Sequence, residues 1–260
     1  QIIESINGKV LKDIDPRIQL GKIITDAEAG DGLVTFMIKD DESASAREVV
    51  VKIPVLGAYS QTWPLDCQKS DRIVRALADN LAATSWSGKI ELSGPRMLFL
   101  LSTGEEKDLD VVRGWAKTSI AANQNFGESG YAYQWFVSWG GPCLAEYYLR
   151  TGDEEVLPVL KKIADAVRKT MYHDGWGGRG LANQHMGLAG TGTLTFLMLA
   201  RQCGVEVEEN MLQRALMHYF RFAGRGINPY MDARPEGGFT DNGRNGRLAF
   251  AMSAASALIP

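Results

Sequence analysis

Cysteine is scarce and scattered: Cys67, Cys143 and Cys203 are the only three in 260 residues. None belongs to a C-x-x-C pair or has a histidine at ligand spacing, which argues against a disulfide framework and against a thiolate zinc site. Cys143 and Cys203 lie within apolar runs, where a thiol behaves as a small buried hydrophobe. Positive charge is not in excess, with 28 Lys and Arg against 31 Asp and Glu and a net charge of −3. Without surplus cations to neutralise phosphates, a nucleic-acid partner is not expected. No apolar run is long enough to cross a bilayer as a helix, so membrane insertion is not expected. At 45% hydrophobic and 23% charged residues the composition is that of an ordinary globular protein. The chain opens at Gln1 inside a strand-like pattern and stops at Pro260 after an apolar run, and both ends read as cuts in a larger protein.

Two periodicities divide what is there. Up to residue 54 the pattern is that of strands: Val34, Phe36 and Ile38 alternate, as do Val49, Val51 and Ile53, with the polar stretch 40–46 between them. This predicts a hairpin. Before it, Ile18, Ile23, Ile24 and Ala27 form an apolar stripe on a short helix, with Pro16 in its first turn and Gly30 closing it. Residues 55–64, which follow Pro54 and hold Gly57, Tyr59, Trp63 and Pro64, read as an ordered linker. From 65 to 260 the period becomes helical.

The segment Ile2-Ile3-Glu4-Ser5-Ile6-Asn7-Gly8-Lys9-Val10 resembles the I-x-x-V-N-G-x-x-V core of bacterial PDZ domains. The resemblance implies that residues 1–54 are a partial PDZ-like α+β domain. Its helix would flank a peptide groove whose carboxylate-binding loop precedes Gln1. Peptides join such domains as an added strand.

The helical region repeats. Gly94-Pro95 and Gly141-Pro142 lie 47 residues apart, and the later glycines Gly104 and Gly152 lie 48 apart. A third unit runs from Gly192 to Gly204, and a fourth starts near Gly246. Each reads as an apolar helix, a glycine cap, then an acidic turn opening an amphipathic helix. The amphipathic stripes are Leu157, Leu160, Ile163, Ala164, Val167 and Met171, then Leu212, Ala215, Leu216, Tyr219 and Phe220. Apolar helices inside and amphipathic ones outside are expected of an (α/α) barrel or an open solenoid. With the lead-ins Trp86-Ser87-Gly88, Trp139-Gly140-Gly141 and Asp174-Gly175-Trp176-Gly177-Gly178, this region resembles the α/α-toroid of terpenoid cyclases and protein prenyltransferases. Uncharacterised bacterial proteins join such a toroid to a PDZ-like module. The expected fold is therefore mainly α: α/α-toroid-like hairpin repeats after a small PDZ-like α+β fragment.

The chemistry of those families lacks its residues here. The D-x-D-D and D-D-x-x-D clusters, the zinc-binding Cys and His, and the G-C-G-E-Q thioester are absent, so no metal and no cofactor is expected. What remains is a gathering of carboxylates and aromatics in three loops entering the inner helices. Asp174, Asp241 and Glu128 are the candidate acid and base residues, with His185 an alternative proton acceptor. Trp176, Tyr131, Tyr133, Trp135, Asn242 and Arg244 are the candidate substrate-binding residues. Acids facing one another across an aromatic funnel suit glycosidic cleavage. The leading expectation is an extracytoplasmic polysaccharide-acting enzyme, and the alternative is a non-catalytic scaffold that binds a glycan or peptide. An isoprenoid enzyme ranks last. Turn chemistry also accounts for Asp-Gly and Asn-Gly pairs, and Trp139 and Trp176 also suit a wedge between hairpins.

Overall fold

The computed structural model describes residues 1–11, 15–84, 90–123, 131–177, 187–224, 228 and 243–259. The chain forms two compact units, Gln1–Asn80 and Leu81–Pro260.

In the first unit, β1 (Ile2–Ile6), β2 (Leu33–Lys39) and β3 (Arg47–Lys52) make an antiparallel sheet in the order β1-β2-β3, with α1 (Pro16–Ala29) between β1 and β2. The hairpin expected from alternation is present, with Val34 opposite Val51 and Phe36 opposite Val49. Asp15 caps α1 by accepting from the Arg17 N–H at 3.0 Å, and Pro16 opens the helix, where its missing N–H costs nothing. Ile23, Ala27, Val34 and Ile6 form the core, whereas Ile18 of the expected stripe is 71% exposed. That residue sits in the first turn, before the helix reaches the sheet. The Asn7-Gly8 pair makes the turn after β1, both residues having positive φ, and the Asn7 side chain accepts the Thr35 N–H at 2.7 Å. After α1 the left-handed position is Gly32 rather than Gly30; a Cβ on Gly32 would strike the Ile53 carbonyl oxygen.

Helix α2 (Gln68–Ala83) starts in this unit. Its buried Lys69 reaches Glu28 of α1 at 2.6 Å and lies 4.3 Å from the Tyr59 ring centroid.

The second unit holds α3 (Ile90–Ser102), α4 (Glu106–Asn123), α5 (Tyr131–Thr151), α6 (Leu157–Thr170), α7 (Gly187–Gln202), α8 (Glu209–Phe220) and α9 (Gly243–Leu258). The odd-numbered helices pack side by side in sequence, α3 on α5, α5 on α7, α7 on α9. The even-numbered ones each cover the pair they connect, so α4, α6 and α8 lie outside. The expected inner–outer alternation is therefore present. Helix α7 is buried at every position from Ala189 through Ala200, and small residues make this possible. A Cβ on Gly141 would meet Phe196 at 2.8 Å, and one on Gly190 would strike the Tyr219 hydroxyl. Glycines 104, 152 and 204 all take positive φ after α3, α5 and α7, as their capping role requires.

The inner helices run parallel. Near their starts, Gly192 of α7 lies against Ser138 of α5 and Arg247 of α9. Near their ends, the Cys203 thiol after α7 donates to Ala145 O of α5 at 3.6 Å, and Gln202 donates to Leu258 O of α9 at 3.4 Å. Starts meet starts and ends meet ends.

Three expectations need correction. Trp139-Gly140-Gly141 is not a loop leading into a helix, because α5 begins at Tyr131 and carries Pro142 in its interior. Tyr131, Tyr133 and Trp135 accordingly stand in the first turns of α5, and Arg244 in the first turn of α9, not in loops. Phe220 is 59% exposed at the very end of α8, while Met211 and His218 complete the buried face.

Candidate functional site

The predicted site residues are scattered or lie outside the described residues. Glu128, His185, Asp241 and Asn242 are outside them, as are the side chains of Tyr131, Tyr133 and Arg244. Asp174 occupies a tight turn closed by Tyr172 and Gly175, with φ of 72°, and its carboxylate takes the Arg214 guanidinium at 2.6 Å. An ion pair between half-exposed side chains orients this acid toward α8. Trp176 is fully buried: its indole N–H donates to Val167 O at 3.0 Å, and its ring stacks with Tyr219 at 6.5 Å. No face of Trp176 is left for a ligand, so it acts as the wedge between α6 and α8. Trp135 is half-buried on α5, one turn before Trp139.

A different group of residues meets at the N-terminal end of the inner helices. Its origin is Pro142, which has no N–H to give to the Ser138 carbonyl four residues earlier. Arg247 of α9 fills that gap, its Nη2 donating to Ser138 O at 2.5 Å and to Ser138 Oγ at 2.8 Å. The guanidinium lies 3.7 Å from the centroid of the Trp139 ring, a cation–π stack. Gly192 on the intervening helix makes the passage possible, since a Cβ there would strike both Arg247 Nη2 and Ser138 Oγ. Burial lowers the Arg247 pKa to about 10.

Around this bridge, buried polar atoms go without hydrogen-bond partners among the described residues: Gln134 Oε1, Trp139 Nε1, Arg247 Nε, and both Oδ1 and Nδ2 of Asn228. Gln134, 4% exposed, is one turn ahead of Ser138 on α5. Asn228, fully buried, donates its backbone N–H to Asn245 at 2.7 Å, two residues before Arg247. Such atoms are uncommon in folded proteins, and each one left unsatisfied costs about 1–3 kcal/mol. By contrast the hydroxyls of Thr191, Thr193 and Thr195 on α7 are all spent on carbonyls four residues back. Three parallel helix starts also bring their positive ends to this end of the unit. The arrangement offers amide groups, an indole N–H and a guanidinium to a polar ligand, and it favours negative over positive charge.

Sequence reasoning missed Arg247, Ser138, Asn228 and Gly192. The available signals were an arginine at the head of an apolar inner helix and a proline four residues beyond a serine. Among the described residues, no group of three or more His, Cys, Asp or Glu is placed to hold a metal ion.

No curated protein and no solved structure matches the chain. A family model does, the domain of unknown function DUF6288, over residues 70–258. That span starts in the first turn of α2 and reaches the last residue of α9, so it takes in every element of the site just described. The chain belongs to the DUF6288 family.

Proposed function

We propose that the helical unit binds a saccharide at the N-terminal end of α5, α7 and α9. The observation that carries this reading is the set of buried, unpartnered polar atoms on Gln134, Asn228, Trp139 and Arg247. Sugar hydroxyls both donate and accept, so one ligand recovers the cost of the unpaired carbonyl oxygens and of the unpaired N–H groups together. Trp135 and Trp139, half-buried and a turn apart on α5, supply apolar surface beside those groups. The inner–outer alternation of helices supports a toroid-like reading of this unit, and the sheet and helix of residues 1–54 support a PDZ-like one. An extracytoplasmic site of action accords with a polysaccharide ligand.

Hydrolysis is the second reading: cleavage uses two carboxyl groups flanking the scissile bond, and of the candidate acids Asp174 is ion-paired with Arg214, while Asp241 and Glu128 lie outside the described residues.

The test is a thermal-shift screen of the full chain against a panel of oligosaccharides, followed by titration and a reducing-end assay. A saccharide at a hundred times its dissociation constant stabilises the fold by about 2.7 kcal/mol. Gln134→Leu removes an unpartnered buried carbonyl, so its unliganded stability stays level or rises while saccharide binding falls at least tenfold. A flat response to every saccharide would sink the proposal. Product formation lost in Asp241→Asn and Glu128→Gln would restore the hydrolase reading.

A further inference from the structure

The charge at the centre of this site needs an explanation that hydrogen bonding to Ser138 does not supply. A neutral donor would satisfy the carbonyl that Pro142 leaves free. A guanidinium placed there keeps its charge at every physiological pH and loses hydration on entering the protein, at a cost that a counter-ion normally offsets. Its polar contacts among the described residues are the two to Ser138, and neither is to an acid. The first turns of α5, α7 and α9 contain no acidic residue. The three parallel helix starts add positive potential where a negative one would be needed. Two exposed arginines of the unit pair with acids, Arg201 with Glu209 at 2.7 Å and Arg214 with Asp174 at 2.6 Å, whereas Arg150 and Arg221 bond the carbonyls of Gly104 and His218 from the surface.

We infer that Arg247 is an anion anchor and that the saccharide bound at this end carries a carboxylate, as a uronic acid does. The inference rests on the saccharide reading above and narrows it to acidic sugars. A planar carboxylate matches the guanidinium fork, and the bond between two charged groups is about twice as strong as a neutral one. The Arg247 Nε–H, buried and without a partner, is the donor such a group takes up. Gln134 and Asn228 then serve the ring hydroxyls next to the acid. Pro142 and Gly192 are positioning residues, the first by freeing the Ser138 carbonyl and the second by leaving space for the guanidinium.

The experiment titrates the full chain with oligogalacturonate and with its methyl ester, in which a neutral ester replaces each carboxylate. An anchor at Arg247 predicts at least tenfold tighter binding of the acid, weakening as salt is raised. Arg247→Lys keeps a charge but not the fork, so it loses at least tenfold on the acid and little on the ester. Should Arg247→Lys fail to fold, the acid–ester ratio and its salt dependence in the unaltered protein decide alone. Equal binding of acid and ester would overturn the anchor and leave the saccharide reading standing. If neither sugar binds, inorganic phosphate at constant ionic strength separates the two ideas. Phosphate that stabilises the parent but not Arg247→Lys keeps the anchor and removes the saccharide. No effect of phosphate removes both, and a carboxylate of the chain itself then neutralises Arg247.

Discussion

Pro142 and Gly192 do their work by what they lack, an N–H in one and a Cβ in the other, and between them Arg247 enters the inner layer. Glu146, one turn further along α5, shows the opposite situation, a charge held back by burial. Desolvation raises its carboxyl pKa, and the carboxylate in turn helps push the Cys143 and Cys203 thiols up, the latter to about 11, although burial is the larger cause in both. The folded state therefore holds the Glu146 proton to a higher pH than the unfolded chain, whose glutamates titrate near about 4.3. Below that value the group contributes no pH dependence. As pH rises through the interval up to the raised pKa, the unfolded chain loses its proton first and stability falls; above the interval the loss is complete and constant. Glu146→Gln removes this behaviour. Its stability relative to the parent should grow with pH across that interval and then level off, as measured by urea unfolding at a series of pH values from 4 to 7. Parallel curves would show that Glu146 is solvated.

At the scale of elements, the joint between α5 and α6 combines several local rules in seven residues. Gly152 takes a φ of 69° and its N–H returns to Tyr148 O at 2.7 Å, which ends α5. Asp153 then accepts from the Glu155 N–H at 3.1 Å, capping the single 3₁₀ turn Glu154–Val156 that leads into α6. Its other oxygen takes the hydroxyl of buried Tyr147 at 2.8 Å. Asp153→Ala loses a cap and strands a buried phenol, so it should cost about 2 kcal/mol. Asp153→Asn keeps a capping oxygen and should cost less than half of that. Equilibrium urea unfolding of both variants is the measurement, and equal losses would mean that the phenol bond carries everything. This joint was legible in the sequence, because glycine followed by acids states both rules within a few residues. The start of α5 was not. Gly140-Gly141-Pro142 reads locally as a break, yet the helix continues because Gly141 seats Phe196 of α7 and Arg247 of α9 satisfies the carbonyl that Pro142 abandons. Both compensations come from more than fifty residues away. The site was hidden for the same reason: Ser138, Gly192 and Arg247 acquire meaning only together, whereas Asp174 and Trp176 looked chemical because turns and wedges use the same residue types.

For the molecule as a whole, the boundary between the two compact units falls at Asn80, inside α2, rather than at the change of period near residue 65. The first turns of α2 explain why. Lys69, 1% exposed, pairs with Glu28 of α1, and the Glu28 carbonyl also accepts the Leu56 and Gly57 N–H groups at 3.0 and 2.9 Å. Arg72 reaches Leu56 O at 3.4 Å, and the Ser60 N–H reaches the Cys67 thiol at 3.4 Å. The salt bridge and these hydrogen bonds together tie α1, the segment after β3 and the head of α2 into a single unit. Lys69→Ala leaves the Glu28 carboxylate largely buried without its partner, which should cost about 3 kcal/mol. Stability is not uniform across a chain, and the loss should be read where the contact lies. Hydrogen exchange should accelerate roughly a hundredfold in α1, β2 and β3, about 1.4 kcal/mol for each factor of ten, while the amides of α5 and α7 keep their protection. Exchange rising equally in α5 and α7 would instead make the two units one cooperative body, and loss of Lys69 would then weaken the proposed site on α5, α7 and α9 as well.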